Sequence, residues 1–216
     1  METVVTARST AASELHDLAT QLERQSGFAQ VLKSLAAGDG GTLGGVWGSS
    51  CALASAALQR SCPGPLVVVL PHARDIDSFC DDLALFTETP TAQFPAWESD
   101  AGERVFHDEI YGQRLRVLKR CQEPFTVQEP PPASVAAKKV PDTFLIVTAI
   151  QSLMQPVPSA DDLTAATRTI AVGDTLDTDA FTRWLAEQGC ASTTAIELPG
   201  EFSLRGGILD IFSPEA

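Results

Sequence analysis

The segment of residues 197–212 has the clearest capacity for chemistry, and it centres on a single arginine, Arg205. Alternation along this segment predicts a strand with apolar residues at 202 and 204 on one face and Arg205 on the other. An arginine held outward on a rigid strand suits recognition of a carboxylate or phosphate on a partner. The alternative is a half-buried ribbon whose arginine is only solvated.

Turn-forming residues stand on both sides of this strand. Pro199 and Gly200 occupy the central positions of a predicted type II turn, because proline presets φ and glycine accepts a positive φ. Gly206 and Gly207 directly follow the arginine and predict a β-bulge or a close backbone approach.

A second candidate is the loop and helix of residues 42–58, which have the layout of a phosphate-binding loop. Such a loop needs small residues, then a lysine for the phosphates and a hydroxyl for magnesium. Counting from Gly48 as the first glycine places the lysine position at Ala54, and no lysine occurs between positions 33 and 119. We therefore predict a degenerate nucleotide loop that does not bind ATP, with these members: Gly48, Ser49, Ser50, Ala54 and Ser55.

No catalytic or metal-binding constellation emerges elsewhere. The three histidines are scattered, and the five cysteines form no C-x-x-C pair, so reduced thiols are expected. The one basic cluster lies in a predicted helix over residues 105–121, with an arginine just before it. It fits an ordinary helix surface or a weak nucleic-acid contact, and its members are Arg104, Arg114, Arg116, Lys119 and Arg120.

The chain of 216 residues carries a net charge of −13 and 44% hydrophobic residues. That charge argues against a grip on a nucleic-acid backbone and favours a protein partner, while the apolar content supports a packed core. No signal-peptide pattern or membrane span is evident, so a cytoplasmic protein without membrane contact is expected.

Other patterns predict the elements that position these residues. Helices are predicted over 11–37, 75–86, 148–155 and after Asp177, the last with Phe181, Trp184 and Leu185 buried. Strands are predicted at Leu66–Leu70 (fully buried), Phe144–Val147, Thr169–Val172 and Thr193–Glu197, with a Pro-rich loop over 122–142.

Three motifs carry a family resemblance. Gly200-Glu-Phe-x-x-Arg205-Gly-Gly-Ile-Leu-Asp-Ile-Phe212 resembles a segment shared by bacterial transcription-repair coupling factors (Mfd) and the repair helicase UvrB. Phe94-Pro-Ala-Trp97-Glu98 and the I-V-x-x-x-x-S-L-M-Q pattern at 146–155 resemble the coupling factors. The missing lysine also favours them, since UvrB-like chains keep an intact loop.

The resemblance implies an α/β fold in two domains: a degenerate P-loop, helicase-like parallel-sheet domain over 1–156, then a small α+β UvrA-docking domain over 157–216, truncated at its C-terminal end. It implies a non-catalytic module that recruits UvrA through Arg205, Glu201, Phe202, Gly206 and Gly207. The full-length relative would be an ATP-dependent translocase on double-stranded DNA that displaces stalled RNA polymerase. Its ATP and magnesium would be bound by motor domains absent from this chain.

Two alternatives to this function remain open. One is a nucleotide-dependent enzyme of the UvrB or helicase class; the other is a structural or autoinhibitory module in contact with absent C-terminal domains. The chain also departs from the family pattern at Ser203, where UvrB-like chains often carry a basic residue.

Overall fold

The computed structural model describes residues 14–97, 109–123 and 144–214. These residues form two units, each built around a three-stranded sheet. The first unit contains the described residues up to Ala92 and from Phe144 to Ile150, and the second contains the remainder. The domain limits expected from the family resemblance stay a prediction.

The first unit begins with three helices, which the strands of its sheet follow along with one further helix. Its helices are α1 (14–23), α2 (Ser26–Ala36), α3 (Ser49–Arg60) and α4 (Ile76–Ala84), the last preceded by a 3₁₀ turn at Ala73–Asp75. Its strands are β1 (Leu66–Leu70), β2 (Thr91–Phe94), which crosses into the second unit, and β3 (Leu145–Ala149).

The first sheet has the order β1-β3-β2, and β1 runs parallel to β3 from Leu66 opposite Leu145 to Leu70 opposite Ala149. This confirms an α/β fold with parallel pairing. All five residues of the central strand β3 are buried. The prediction of full burial is wrong for β1, where Val67 and Val69 are 47% and 46% exposed, because an edge strand of this sheet is covered on one face only.

The core of the first unit depends on small residues in α3. Ala52, Ala56 and Ala57 are completely buried together with Leu83 of α4 and strand β3. Alanine allows close approach because it has no atoms beyond Cβ, so this helix packs tightly on its neighbours.

The second unit contains helices followed by a small sheet. Its elements are α5 (Glu109–Gln122), α6 (Ile150–Leu153, entered from β3), α7 (Ala160–Ala165), α8 (Thr178–Glu187), β4 (Ala191–Ser192), β5 (Glu201–Arg205) and β6 (Ile208–Ile211). The sheet order is β4-β5-β6, with β5 antiparallel to β6. Its core consists of Phe181 and Leu185 of α8 and Phe202 of β5.

The predicted helix cap at Asp177 is confirmed. Its carboxylate accepts hydrogen bonds from the backbone N–H groups of Asp179 and Ala180, at 3.1 and 3.0 Å. A cap of this kind satisfies donors that have no partner within the helix.

Three predicted elements are wrong or shorter than expected. Thr169–Val172 is not a strand; Val172 is fully exposed, and Asp174 folds back to accept from the Ala171 N–H at 2.8 Å. Its β-branched residues favour a strand, but no described strand pairs with them, so local turn bonding prevails. In place of the strand expected at 193–197, the chain forms the short strand β4 at Ala191–Ser192. The helix expected over 148–155 is shorter, because α6 spans only Ile150–Leu153. The Pro-rich segment lies outside the described residues from position 124 onward.

Candidate functional site

The turn that leads into β5 has the predicted type II geometry. Glu201 donates its backbone N–H to the Leu198 carbonyl at 3.2 Å, and Gly200 has a φ of +82°. The Glu201 carboxylate also accepts from the backbone N–H groups of Glu197 and Leu198, at 2.7 and 2.9 Å. This carboxylate therefore stabilises the turn directly.

Gly206 and Gly207 form the two-residue turn of the β5–β6 hairpin. Arg205 pairs with Ile208, and both glycines have positive φ values of +56° and +85°. This is the requirement of a type I′ turn, whose twist matches that of the flanking strands. The predicted bulge is therefore wrong, because the two glycines connect the strands instead of interrupting one of them.

Arg205 lies at the exposed end of this hairpin. Its side chain is 66% exposed, and its Nη2 lies 3.6 Å from Oδ2 of Asp210 on the opposite strand. Ile208, its cross-strand partner, is 66% exposed, and Leu204 on the other face of the strand is 40% exposed. The hairpin end thus presents a cation beside an exposed apolar side chain.

Burial along β5 does not follow the strand alternation. Phe202 and Ser203 are buried, whereas Leu204 is exposed, because the core residues of α8 reach only the beginning of the strand. Of the five predicted docking residues, Arg205 is thus exposed at the hairpin end, and Gly206 and Gly207 shape that end. Glu201 and Phe202 support it from the turn and the core.

The second candidate, the loop before α3, lies in the first unit. The helix begins at Ser49, directly after Gly48. Ala54 therefore falls in the second turn, where it is 6% exposed, and the Ser55 hydroxyl donates to the Cys51 carbonyl at 2.9 Å. Neither residue faces the loop.

A carboxylate lies at the N-terminus of α3. The Ser49 hydroxyl donates a 2.7 Å hydrogen bond to Oδ2 of Asp82 in α4. This contact was not predicted from the sequence. The N-terminus of a helix favours negative charge, so Asp82 supplies an anion at the place where a phosphate-binding loop would hold phosphate.

A third cluster was missed by the sequence interpretation and surrounds Arg114 of α5. This residue is 2% exposed, although it was assigned to a basic surface cluster. Its guanidinium carbon lies 4.1 Å from the Phe94 ring centroid and 5.0 Å from that of Trp97. The F-P-x-W segment therefore encloses an arginine, and the motif itself was the available signal.

The hydrogen bonds of Arg114 go to neutral acceptors. Nη1 donates to the Pro95 carbonyl at 2.6 Å and to Oε1 of Gln155 at 3.4 Å, while Nη2 has no partner among the described residues. Gln155 also accepts from the Trp97 N–H and donates to the Trp97 carbonyl. Burial lowers the pKa of Arg114 to about 10, because it disfavours the charged form.

The described residues contain no group of three or more His, Cys, Asp or Glu side chains placed to hold a metal ion. No helix among them is long and apolar enough to cross a membrane.

The fold and these sites define an α/β protein with a lysine-free loop before α3 and an arginine-tipped hairpin. No family model matches the chain. It is 33% identical over 165 residues to the transcription-repair-coupling factor of Mycobacterium tuberculosis, covering 76% of this chain and 12% of that protein. For the proteins of the same name from Myxococcus xanthus and Escherichia coli, the identities are 27% and 24%, covering 99% and 82% of this chain.

Over 76% to 99% of its length the chain is therefore similar to transcription-repair-coupling factors, as the motifs indicated. It spans between 12% and 17% of the length of these relatives.

Proposed function

We propose that this chain is the UvrA-recruiting, non-catalytic part of a transcription-repair coupling factor in nucleotide excision repair. The complete protein would be an ATP-dependent translocase on double-stranded DNA that displaces stalled RNA polymerase. ATP and magnesium would bind in domains outside this chain. The protein would act in the cytoplasm, where five free thiols suit a reducing compartment.

The observation that carries this proposal is the position of Arg205 at the end of the β5–β6 hairpin. A two-residue turn fixes the backbone there, and 66% of the arginine side chain is exposed. Arginine is favoured at protein interfaces because its planar fork binds carboxylates while its stem packs on apolar groups. Ile208, which pairs with Arg205 across the hairpin and is 66% exposed, supplies such an apolar group beside it.

The loop before α3 supports the non-catalytic part of the proposal. With the helix starting at Ser49, the first glycine of a phosphate-binding motif is better placed at Gly45. The second glycine, lysine and hydroxyl positions then fall at Ser50, Cys51 and Ala52, so the lysine is missing in this register too. The Asp82 carboxylate would in addition repel phosphate.

UvrA capture tests the docking role. Arg205→Glu should weaken binding of purified UvrA by about tenfold or more in isothermal titration. The substitution replaces a cation with an anion, which would repel the partner carboxylate that Arg205 is proposed to bind. Arg74→Glu is the matched control, since Arg74 is 80% exposed and also lies close to an aspartate, at 3.7 Å. An unaffected Arg205→Glu titration would favour the structural or autoinhibitory alternative.

Isothermal titration of this chain with ATP and magnesium tests the proposal that it is non-catalytic. We expect no saturable binding to this chain. Tight, magnesium-dependent binding would support the nucleotide-dependent enzyme instead.

A further inference from the structure

A cavity of about 530 Å³ opens on the second unit. Leu163 of α7, Phe181 and Leu185 of α8 and Ile211 of β6 form its apolar wall. This volume lies in the range of about 300–1,000 Å³ that is typical of small-molecule sites. Neither the docking role nor the loop before α3 makes use of this cavity.

Positive charge gathers at this cavity in an otherwise acidic protein. Lys119 and Arg168 line it, although the chain carries a net charge of −13. The carboxylate of Asp162 also lines it, but that group accepts the Ser159 hydroxyl at 2.6 Å within the cap of α7. The cavity therefore combines an apolar wall with two cations and one carboxylate.

Arg168 is positioned by an aromatic ring. Its guanidinium carbon lies 4.5 Å from the ring centroid of Trp184, which also lines the cavity. Stacking on an aromatic face occupies the plane of a guanidinium and leaves its N–H edge available for an oxyanion. An anion at this edge would gain a charge-assisted hydrogen bond.

We propose that this cavity binds an amphipathic organic anion, a carboxylate or sulfonate on an apolar body. The apolar body lies against Leu163, Phe181 and Leu185, and the oxyanion meets Arg168 and Lys119. This assignment is independent of UvrA docking. Nucleic acid does not fit, because two cations beside an apolar wall offer no track for a phosphate backbone.

A pair of ligands that differ in charge tests the proposal. The fluorescent aromatic anion 8-anilinonaphthalene-1-sulfonate should bind the folded chain at one saturable site. Decanoate should displace it, and the neutral decanol should do so about tenfold less well, since it lacks the charge-assisted bond. Equal displacement by decanoate and decanol would overturn the proposal.

Variants locate the site. Arg168→Gln should weaken the binding of decanoate about tenfold and leave the binding of decanol unchanged. Arg168→Lys should retain part of the preference for the anion. Arg183→Gln is the control, because Arg183 lies on α8 but does not line this cavity. Ala166→Trp, which fills the cavity from the end of α7, should abolish binding of both ligands. Equal losses in Arg168→Gln and Arg183→Gln, or dye binding at many equivalent sites, would refute the site.

Discussion

Ser49 and Asp82, 33 positions apart, join α3 to α4 through a 2.7 Å hydrogen bond at the N-terminus of α3. The contact places a carboxylate where the helix dipole favours it. The same carboxylate would repel a phosphate at this loop. One side-chain pair thus serves the stability of the first unit and supports its proposed lack of nucleotide binding.

Removing this carboxylate should destabilise the first unit. Asp82→Asn should lower the free energy of unfolding by about 0.5–1 kcal/mol, because it weakens one hydrogen bond and removes a favourable charge. Urea unfolding followed by circular dichroism measures the change. Asp81→Asn on the same helix is the control and should have a smaller effect; equal losses would mean that Ser49 is not involved.

The buried arginine should tolerate an apolar replacement better than a conservative one. Arg114→Lys should cost roughly 3 kcal/mol, because an ammonium group keeps a buried charge and loses the planar stack on Phe94 and Trp97. Arg114→Met should cost only about 1 kcal/mol, since it also removes a desolvated charge whose Nη2 has no hydrogen-bond partner among the described residues. Urea unfolding of both variants measures the two costs. A larger loss of unfolding free energy in Arg114→Met than in Arg114→Lys would contradict this prediction.

Replacing glycine with alanine in the hairpin turn should destabilise the protein. Gly206→Ala should cost about 1–2 kcal/mol, because φ is +56° at this position and an L side chain is strained there. No atom lies within 4 Å of an added Cβ, so the cost comes from the backbone alone. Gly206→Asn should be milder, because asparagine is favoured in type I′ turns.

Gly27→Ala in helix α2 is the reference for this comparison. It also has open space around an added Cβ, but its φ is not positive. The substitution should stabilise the chain by about 0.5–1 kcal/mol through helix propensity. The melting temperatures of the two alanine variants should therefore shift in opposite directions from that of the wild type.

Stability should fall in alkaline solution partly through Cys190. Burial raises the pKa of this thiol above its ordinary value of 9.0, so the unfolded chain loses the proton first. The thiol's contribution is fully present below pH 9 and is lost as pH rises through the raised pKa of the folded state. The melting temperature of Cys190→Ala should depend less steeply on pH above 9 than that of the wild type.

The sequence by itself determined the features that depend on local backbone preferences. Pro199 and Gly200 fix the turn before β5, and Asp177 begins α8, because each acts on its immediate neighbours. The apolar runs at 66–70 and 144–147 likewise placed β1 and β3. The motif residues also indicated the family.

Tertiary structure decided which polar side chains are enclosed. Arg114 and Asp82 look like solvated helix residues in the sequence, and their hydrogen-bond partners lie 19 to 41 positions away. The two glycines after Arg205 became a hairpin turn only because β6 pairs back onto β5. Residues 169–172 have strand propensity but form no strand, because no described strand pairs with them. The physical reason is the same in each case: burial and pairing depend on which distant segments meet, and local preferences do not encode this.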